Sequence, residues 1–158
     1  MSELARSLIG IAGAHFVAGE LSQRGYIAAL TPRNTKGIDV LVSNHDGSKS
    51  VSIQVKTSSA KQRGDYTRSW WMEKKDENIF SDNLFYVFVD IKTSNEKPDY
   101  YVVKSKTVAE QVKTTHQKYL AKSGGEGKPH PDAELRAFTI EDSDVDKFLN
   151  MWGTLGLD

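Results

Sequence analysis

The 158-residue chain contains no cysteine, which excludes disulfide bonds and thiolate metal ligands. It also lacks any apolar run long enough to cross a membrane. Its first residues do not show the basic-then-apolar order of a secretory signal, so we expect a cytoplasmic protein with no membrane partner. The length suits one domain with a substantial core, and we predict a single domain over residues 1–158.

The chain also lacks a net charge, because 21 lysine and arginine residues balance 21 aspartate and glutamate residues. The charges are unevenly distributed along the chain. Residues 49–75 hold seven basic residues against two acidic ones, and residues 132–158 hold seven acidic residues against two basic ones. The basic segment either follows a phosphate backbone or forms an ordinary solvated loop. Both interpretations stay open at this point.

The apolar pattern of the chain predicts an alternation of helices and strands. We predict a helix over 3–24, a strand over 26–30, two strands within 38–57, a strand over 84–91 buried on both faces, a strand over 100–103, a helix over 105–120, a strand over 136–140 and a helix from 142 or 143 to 152. Ser2 and Ser105 are the predicted N-caps, and Gly25 lies just beyond the first helix. The order predicts an α/β (α+β) sheet flanked by helices.

A hairpin is the most informative local pattern. Asp46-Gly47 lies between two alternating segments, which predicts paired antiparallel strands. With a two-residue loop, paired residue numbers sum to 93 and Asp39 faces Gln54. Lys56 then lies on the same polar face, since side chains alternate along a strand. The other face is aliphatic and predicted to be core: Ile38, Val40, Val42, Val51, Ile53 and Val55. A carboxylate, an amide oxygen and an ammonium group on one patch suit a metal-dependent phosphodiesterase.

These residues and this order of elements resemble the restriction-endonuclease-like nucleases, the PD-(D/E)xK superfamily, over roughly residues 3–91. In that family a helix with a glutamate precedes a strand with an aspartate and a partner strand with the (D/E)xK triplet. Glu20 matches the helix glutamate, Asp39 matches the aspartate, and Gln54-Val55-Lys56 matches the triplet. The glutamine in the triplet is similar to the Mrr-like branch of the family. No proline precedes Asp39, a departure from the pattern in the family name.

The resemblance implies a mixed central sheet and an endonuclease that hydrolyses DNA phosphodiester bonds with Mg²⁺ or Mn²⁺. It implies that Asp39, Gln54 and the Val55 carbonyl ligate the cation and that Glu20 binds it through water. Lys56 would polarise the attacking water or stabilise the pentacovalent phosphate. One domain reaches only one strand, so cleavage of a duplex would require a homodimer.

Four residues of the basic segment are the predicted contacts to DNA: Lys61, Arg63, Arg68 and Trp70. The basic side chains suit phosphates, and an indole ring can stack on a base. The pair Trp70-Trp71 also has a structural interpretation, in which one of the two rings packs in the core.

Each residue of the predicted metal site has a structural alternative as well. Glu20 could simply pair with Arg24, one helical turn away. Asp39 could be a strand-entry residue. Gln54 and Lys56 could form the solvent face of a half-exposed strand.

The function has alternatives too. The same fold could serve as an inactive binding module or as a subunit of a larger protein assembly. The glutamine at position 54 and the zero net charge favour that interpretation. A nuclease acting on RNA is a third interpretation. The four histidines show no paired spacing, which argues against a zinc site.

Overall fold

The computed structural model of the protein describes residues 3–32, 35–59, 68–93, 95–122 and 128–158. The helices in these ranges are α1 (Glu3–Gln23), α2 (Ser105–Ala121) and the short α3 (Val145–Phe148). The strands are β1 (Ile27–Leu30), β2 (Val40–Ser43), β3 (Ser50–Ser59), β4 (Arg68–Glu73), β5 (Leu84–Ile91), β6 (Asp99–Lys104) and β7 (Leu135–Ile140). Three 3-10 helices span Lys74–Asn78, Asp142–Asp144 and Trp152–Leu155. The predicted fold class, helices with a mixed sheet, is confirmed.

Five of the strands form one mixed sheet in the order β1-β2-β3-β5-β6. The β3–β5 pair at its centre is parallel, and the other neighbours in this sheet are antiparallel. The connection from β3 to β5 contains β4 and the first 3-10 helix. In addition, β4 pairs antiparallel with β7 in a separate two-stranded sheet.

Two hydrophobic clusters cover the two faces of the five-stranded sheet. On one face Val17 and Leu21 of α1 and Trp152 near the C-terminus pack on the sheet. On the other face, side chains of α2 and of the β4–β7 pair form the second cluster. Side chains alternate along β5, so Val87 enters the first cluster and Phe88 the second. This arrangement explains why the apolar run of β5 is buried on both sides, as predicted.

The first helix packs with its backbone close to β3. A Cβ atom added at Gly13 would lie 1.8 Å from Thr57 Oγ1 and 2.9 Å from Thr57 Cβ. Only glycine allows so close an approach at that point. The helix ends as predicted before Gly25, whose φ of +91° lies in the region that favours glycine. The predicted N-cap Ser2 lies outside the described residues.

The register predicted for the hairpin is confirmed. Val40 pairs with Ile53 and Ser43 pairs with Ser50, so paired numbers sum to 93. The predicted two-residue loop is wrong, because the ladder stops at Ser43 and Ser50. The side chain of Asn44 closes a wider loop by accepting a hydrogen bond from the N–H of Lys49 at 3.0 Å. The wider loop preserves the register within the ladder, which ends at the pair of Val40 and Ile53.

Three further local predictions differ from the structure. Ser105 does not cap α2, since Lys104 is the N-cap and the Ser105 hydroxyl donates to the Ser81 carbonyl at 3.0 Å. The predicted last helix is broken into short turns, because the N–H of Asn150 bonds the Tyr100 carbonyl at 2.7 Å and its φ is +55°. Strand β4 falls in a stretch to which the sequence assigned no element.

Among the described helices, none is long and apolar enough to span a membrane.

Candidate functional site

Asp39 lies immediately before β2 and extends the pairing with β3 through its side chain. Its N–H donates to the Ile53 carbonyl at 2.8 Å, and its Oδ2 accepts a hydrogen bond from the Val55 N–H at 2.7 Å. The carboxylate of Asp39 therefore accepts the Val55 N–H in place of a backbone carbonyl of the neighbouring strand. The interpretation of Asp39 as a strand-entry residue is confirmed.

Gln54 follows Ile53 on β3, one residue beyond the last pair of the hairpin ladder. The predicted direct facing of Asp39 and Gln54 is not kept, because the Asp39 N–H bonds the Ile53 carbonyl, one residue short of Gln54. On its other side it is the neighbour of Tyr86 in the parallel ladder. The side-chain oxygen Oε1 is buried, and none of the described residues donates a hydrogen bond to it. An unsatisfied buried acceptor costs about 1–3 kcal/mol. A water molecule or a cation bound at this oxygen would remove that cost.

Lys56 follows on the same face of β3, beside Phe88 of β5. Its side chain is 20% exposed, and its Nζ lies 3.9 Å from Oδ2 of Asp76. The interpretation of Gln54 and Lys56 as an open solvent face is therefore only partly right, since both are half-buried.

Burial raises the pKa of the Asp39 carboxyl above its usual range. The Val55 N–H and the Lys56 ammonium act in the opposite direction but do not cancel the effect. Perturbed carboxyl groups in a cleft are common at functional sites, although structural ion pairs produce them too.

The cleft beside Asp39 has a volume of about 400 Å³ and lies between the first half of α1 and the segment after β1. Ser7, Gly10 and Ala14 contribute the helix side of its wall. Asp39 is the one acidic residue among the described lining residues. Any cation bound there would thus meet a single carboxylate.

Glu20 does not meet Asp39 in this cleft. It lines a different cleft, with Tyr100 and Asn150 among its neighbours, and the two clefts share none of their described lining residues. Its carboxylate accepts hydrogen bonds from Arg24 Nη2 at 2.8 Å and Nε at 3.1 Å. The alternative that Glu20 pairs with Arg24 is confirmed, and the structure gives its predicted ligand role no support.

Asp76 is a site residue that the sequence did not single out. It is fully buried and lies in the 3-10 helix after β4, within a run of five charged residues. A charged run usually lies in solvent, and nothing in the residue types of this one distinguishes Asp76 from its exposed neighbours. Only the pairing of β4 with β7, a partner more than 60 residues away, brings Asp76 under the sheet.

Of the predicted DNA contacts, two are described and both are engaged in the fold. Trp70 is 2% exposed and donates from its indole N–H to the Val89 carbonyl at 3.1 Å, so it cannot stack on a base. Its neighbour Trp71 is 72% exposed, which confirms that one ring of the pair is core. Arg68 pairs with Asp142. Lys61 and Arg63 lie outside the described residues.

The donor set of Asp39 and Gln54 fits a hard cation, since both offer oxygen atoms and one of these is buried without a described partner. It is a sparse set. Among the described residues, no three histidine, aspartate or glutamate side chains gather where they could hold a metal ion. We therefore expect a weak site that depends on Asp39.

Comparison of the chain with protein-family models and with curated proteins finds no match in either.

Proposed function

We propose that this protein is a metal-dependent nuclease that hydrolyses phosphodiester bonds of DNA by metal-activated water. The observation that carries the proposal is the buried Gln54 Oε1, which lacks a described hydrogen-bond donor, next to Val55, whose N–H donates to Asp39 Oδ2 at 2.7 Å. A buried acceptor without a donor, one residue away from a backbone N–H that binds a half-buried carboxylate, is costly for a purely structural patch. It is useful if both oxygens ligate a cation.

Within this proposal, Asp39 and Gln54 hold Mg²⁺ or Mn²⁺, with the Val55 carbonyl as a third oxygen by the resemblance. A bound divalent cation supplies Lewis-acid activation of a water molecule. Asp39 has to lose its proton to bind a cation, and its raised pKa makes binding weaken on mild acidification. Lys56 contributes a positive charge on the same face, where the scissile phosphate would lie.

The preference for DNA, a cytoplasmic location and a homodimer for duplex cleavage are parts of the same proposal. They rest on the resemblance and on the composition of the chain. The exposed Trp71, and not Trp70, is the indole that could stack on a nucleobase.

A second candidate function is a nuclease-like module that binds or assembles without cleaving. The observation that favours it is the single carboxylate of the Asp39 cleft among the described lining residues. Gln54 supplies no charge, and Glu20 is paired with Arg24 elsewhere. Such a site would bind divalent cations weakly or not at all.

Cleavage assays separate the two candidates. Supercoiled plasmid, single-stranded DNA, a branched duplex and a structured RNA are incubated with the protein in Mg²⁺, in Mn²⁺ or in EDTA. Asp39→Asn and Lys56→Met are the test variants. Asp146→Asn is the matched control, because Asp146 is exposed on α3, which contacts β6 at the edge of the sheet opposite to β1.

We expect metal-dependent cleavage that is lost in both test variants and kept in the control. A folded wild type that cleaves none of the substrates would favour the binding module. Cleavage that survives both substitutions would place the chemistry elsewhere, and cleavage of RNA alone would correct the substrate class.

A further inference from the structure

The exposed side of α2 and its two ends carry a concentration of positive charge. Residues 104–122 hold five lysines against a single acidic residue, Glu110. All five lysines are exposed, and none of them forms an ion pair with a carboxylate in the described part of the chain. They are Lys104, Lys106, Lys113, Lys118 and Lys122.

Elsewhere the fold pairs its cations with carboxylates. In the segment that the sequence marked as basic, the described cations of residues 68–75 each have such a partner: Arg68 with Asp142, Lys74 with Asp132 and Lys75 with Glu73. Ion pairs also hold Arg24, Lys92, Arg136 and Lys147. A paired cation attracts an outside anion less, because its partner cancels much of its field. The lysines of α2 are therefore a run of cations left for an anion from outside.

The stability of α2 explains only part of this pattern. Lys118 lies in the last turn and Lys122 is the C-cap, where cations interact favourably with the helix dipole. Lys104 and Lys106 lie at the other end, where a cation is unfavourable, and no acidic residue of the first turn offsets them. An anion lying along the helix would remove this cost.

The lysines cross the exposed side of α2 obliquely. Lys106 and Lys113 are seven residues apart, nearly two turns, so they share one edge of that side. Lys118 follows five residues later and lies on the other edge. From Lys106 to Lys118 the helix rises about 18 Å, which matches about five phosphates of one DNA strand at roughly 3.4 Å each. The spacing suits a phosphate backbone that crosses the helix at an angle.

The remaining side chains of α2 favour a nucleic acid over a lipid surface. Its apolar side is already occupied, because Val108 and Val112 belong to the second hydrophobic cluster. The helix thus has no free apolar side to insert into a lipid surface. The exposed residues between the lysines bear hydroxyl or amide groups: Thr107, Thr114, Thr115 and Gln117. Such groups donate hydrogen bonds to the phosphate and sugar oxygens of nucleic acids.

α2 lies on the same side of the five-stranded sheet as Lys56. Lys56 is the ladder neighbour of Phe88, which belongs to the second hydrophobic cluster together with the apolar side of α2. The helix also packs against the 3-10 helix Lys74–Asn78, whose Asp76 Oδ2 lies 3.9 Å from Lys56 Nζ. A duplex held along α2 would therefore lie on the Lys56 side of the sheet.

We propose that the exposed side of α2 binds the phosphate backbone of a DNA duplex, with Lys106, Lys113 and Lys118 as its central contacts. The inference rests on the proposed function for the choice of DNA, whereas binding at this surface does not require cleavage. Because the contacts are to phosphates, binding is independent of base sequence and depends steeply on salt.

Binding in EDTA tests this surface apart from any cleavage. A fluorescent duplex of about 20 base pairs is titrated with the protein at about 50 to 200 mM salt, and fluorescence anisotropy gives the dissociation constant. The test variant combines Lys106→Gln, Lys113→Gln and Lys118→Gln. Glutamine has about the same helix propensity as lysine, so the helix should be kept, and urea unfolding checks this.

The control variant removes the same amount of charge from other exposed lysines. It combines Lys92→Gln, Lys97→Gln and Lys147→Gln. Lys92 and Lys97 lie between β5 and β6, at the opposite end of β6 from α2, and Lys147 lies on α3. A general effect of net charge would appear equally in the test and control variants.

We expect the test variant to bind roughly tenfold or more weakly at about 100 mM salt and to reduce the slope of the salt dependence by about three, one for each lysine. The control should stay within about twofold of wild type. Equal losses in the two variants, or no binding by the folded wild type, would overturn the inference. Lysine-dependent binding to phosphatidylserine vesicles without binding to the duplex would also overturn it.

Cleavage assays separate this inference from the proposed function. A wild type that binds the duplex through α2 but cleaves nothing would support the surface and remove the proposed nuclease function. A wild type that cleaves, together with a test variant that binds and cleaves equally well, would keep the nuclease function and overturn the surface.

Discussion

Substitution by alanine should stabilise the protein at Gly19 of α1 but not at Gly13 of the same helix. No described atom lies within 4 Å of a Cβ added at Gly19, so Gly19→Ala adds only the helix preference of alanine. That preference is worth about 1 kcal/mol in the interior of an exposed helix. We expect Gly19→Ala to stabilise the protein by about this amount.

At Gly13 the same gain is opposed by a clash with β3. Rotation of the Thr57 side chain could relieve the 1.8 Å contact with Oγ1. It cannot relieve the 2.9 Å contact with Thr57 Cβ, because that atom is fixed to the strand. The helix has to move, and overpacking of this kind costs about 1–3 kcal/mol. Gly13→Ala should therefore range from neutral to about 2 kcal/mol destabilising after the helix gain of about 1 kcal/mol.

Equilibrium unfolding in urea measures both variants on the same scale. The difference between them should be about 1–3 kcal/mol, and the double variant Gly13→Ala with Thr57→Ala should recover part of it. If Gly13→Ala stabilises the protein as much as Gly19→Ala does, the close packing of α1 on β3 is wrong. The position of the Asp39 cleft, whose wall includes Gly10 and Ala14, would then be wrong as well.

Three further predictions concern the site and the core. Asp39→Asn should raise the melting temperature at pH 7, because burial raises the folded-state pKa of Asp39 and the wild type loses stability as the pH rises through that pKa. The gain should disappear at acidic pH, and a gain that grows on acidification would contradict this. Gln54→Glu should tighten Mn²⁺ binding in a calorimetric titration by adding a second carboxylate, and weaker binding would argue against ligation at position 54. In urea unfolding, Trp70→Phe should lower the free energy of unfolding by about 2 kcal/mol, because it loses the hydrogen bond to the Val89 carbonyl. Trp71→Phe should change that free energy by no more than about 0.5 kcal/mol, and similar values for the two variants would contradict the assigned burial.

The parts of the fold that local patterns determine were predictable from the sequence. The aliphatic alternation around Val40 and Ile53 fixes which face of the hairpin is core, so the register holds even though Asn44 widens the loop. The apolar run of β5 likewise identifies a strand that is buried on both faces of the sheet. The predicted facing of Asp39 and Gln54 does not follow from these patterns, because the Asp39 N–H bonds the Ile53 carbonyl, one residue short of Gln54.

The parts that depend on distant pairing were not predictable. Trp70 and Met72 belong to β4, which forms only because β7 is available to pair with it far along the chain. The buried position of Asp76 follows from that pairing. For Glu20 the sequence offered two interpretations, since its position on the helix suited the resemblance and Arg24 four residues away predicted the ion pair that the structure shows.

Binding of Mn²⁺ is the most direct measurement of the central claim, that Asp39 and Gln54 form a cation site. Isothermal titration of the wild type is compared with Asp39→Asn and with the control Asp146→Asn. We predict one weak site in the wild type and in the control, and no binding in Asp39→Asn. Equal binding by all three proteins, or no binding by the folded wild type, would contradict the account.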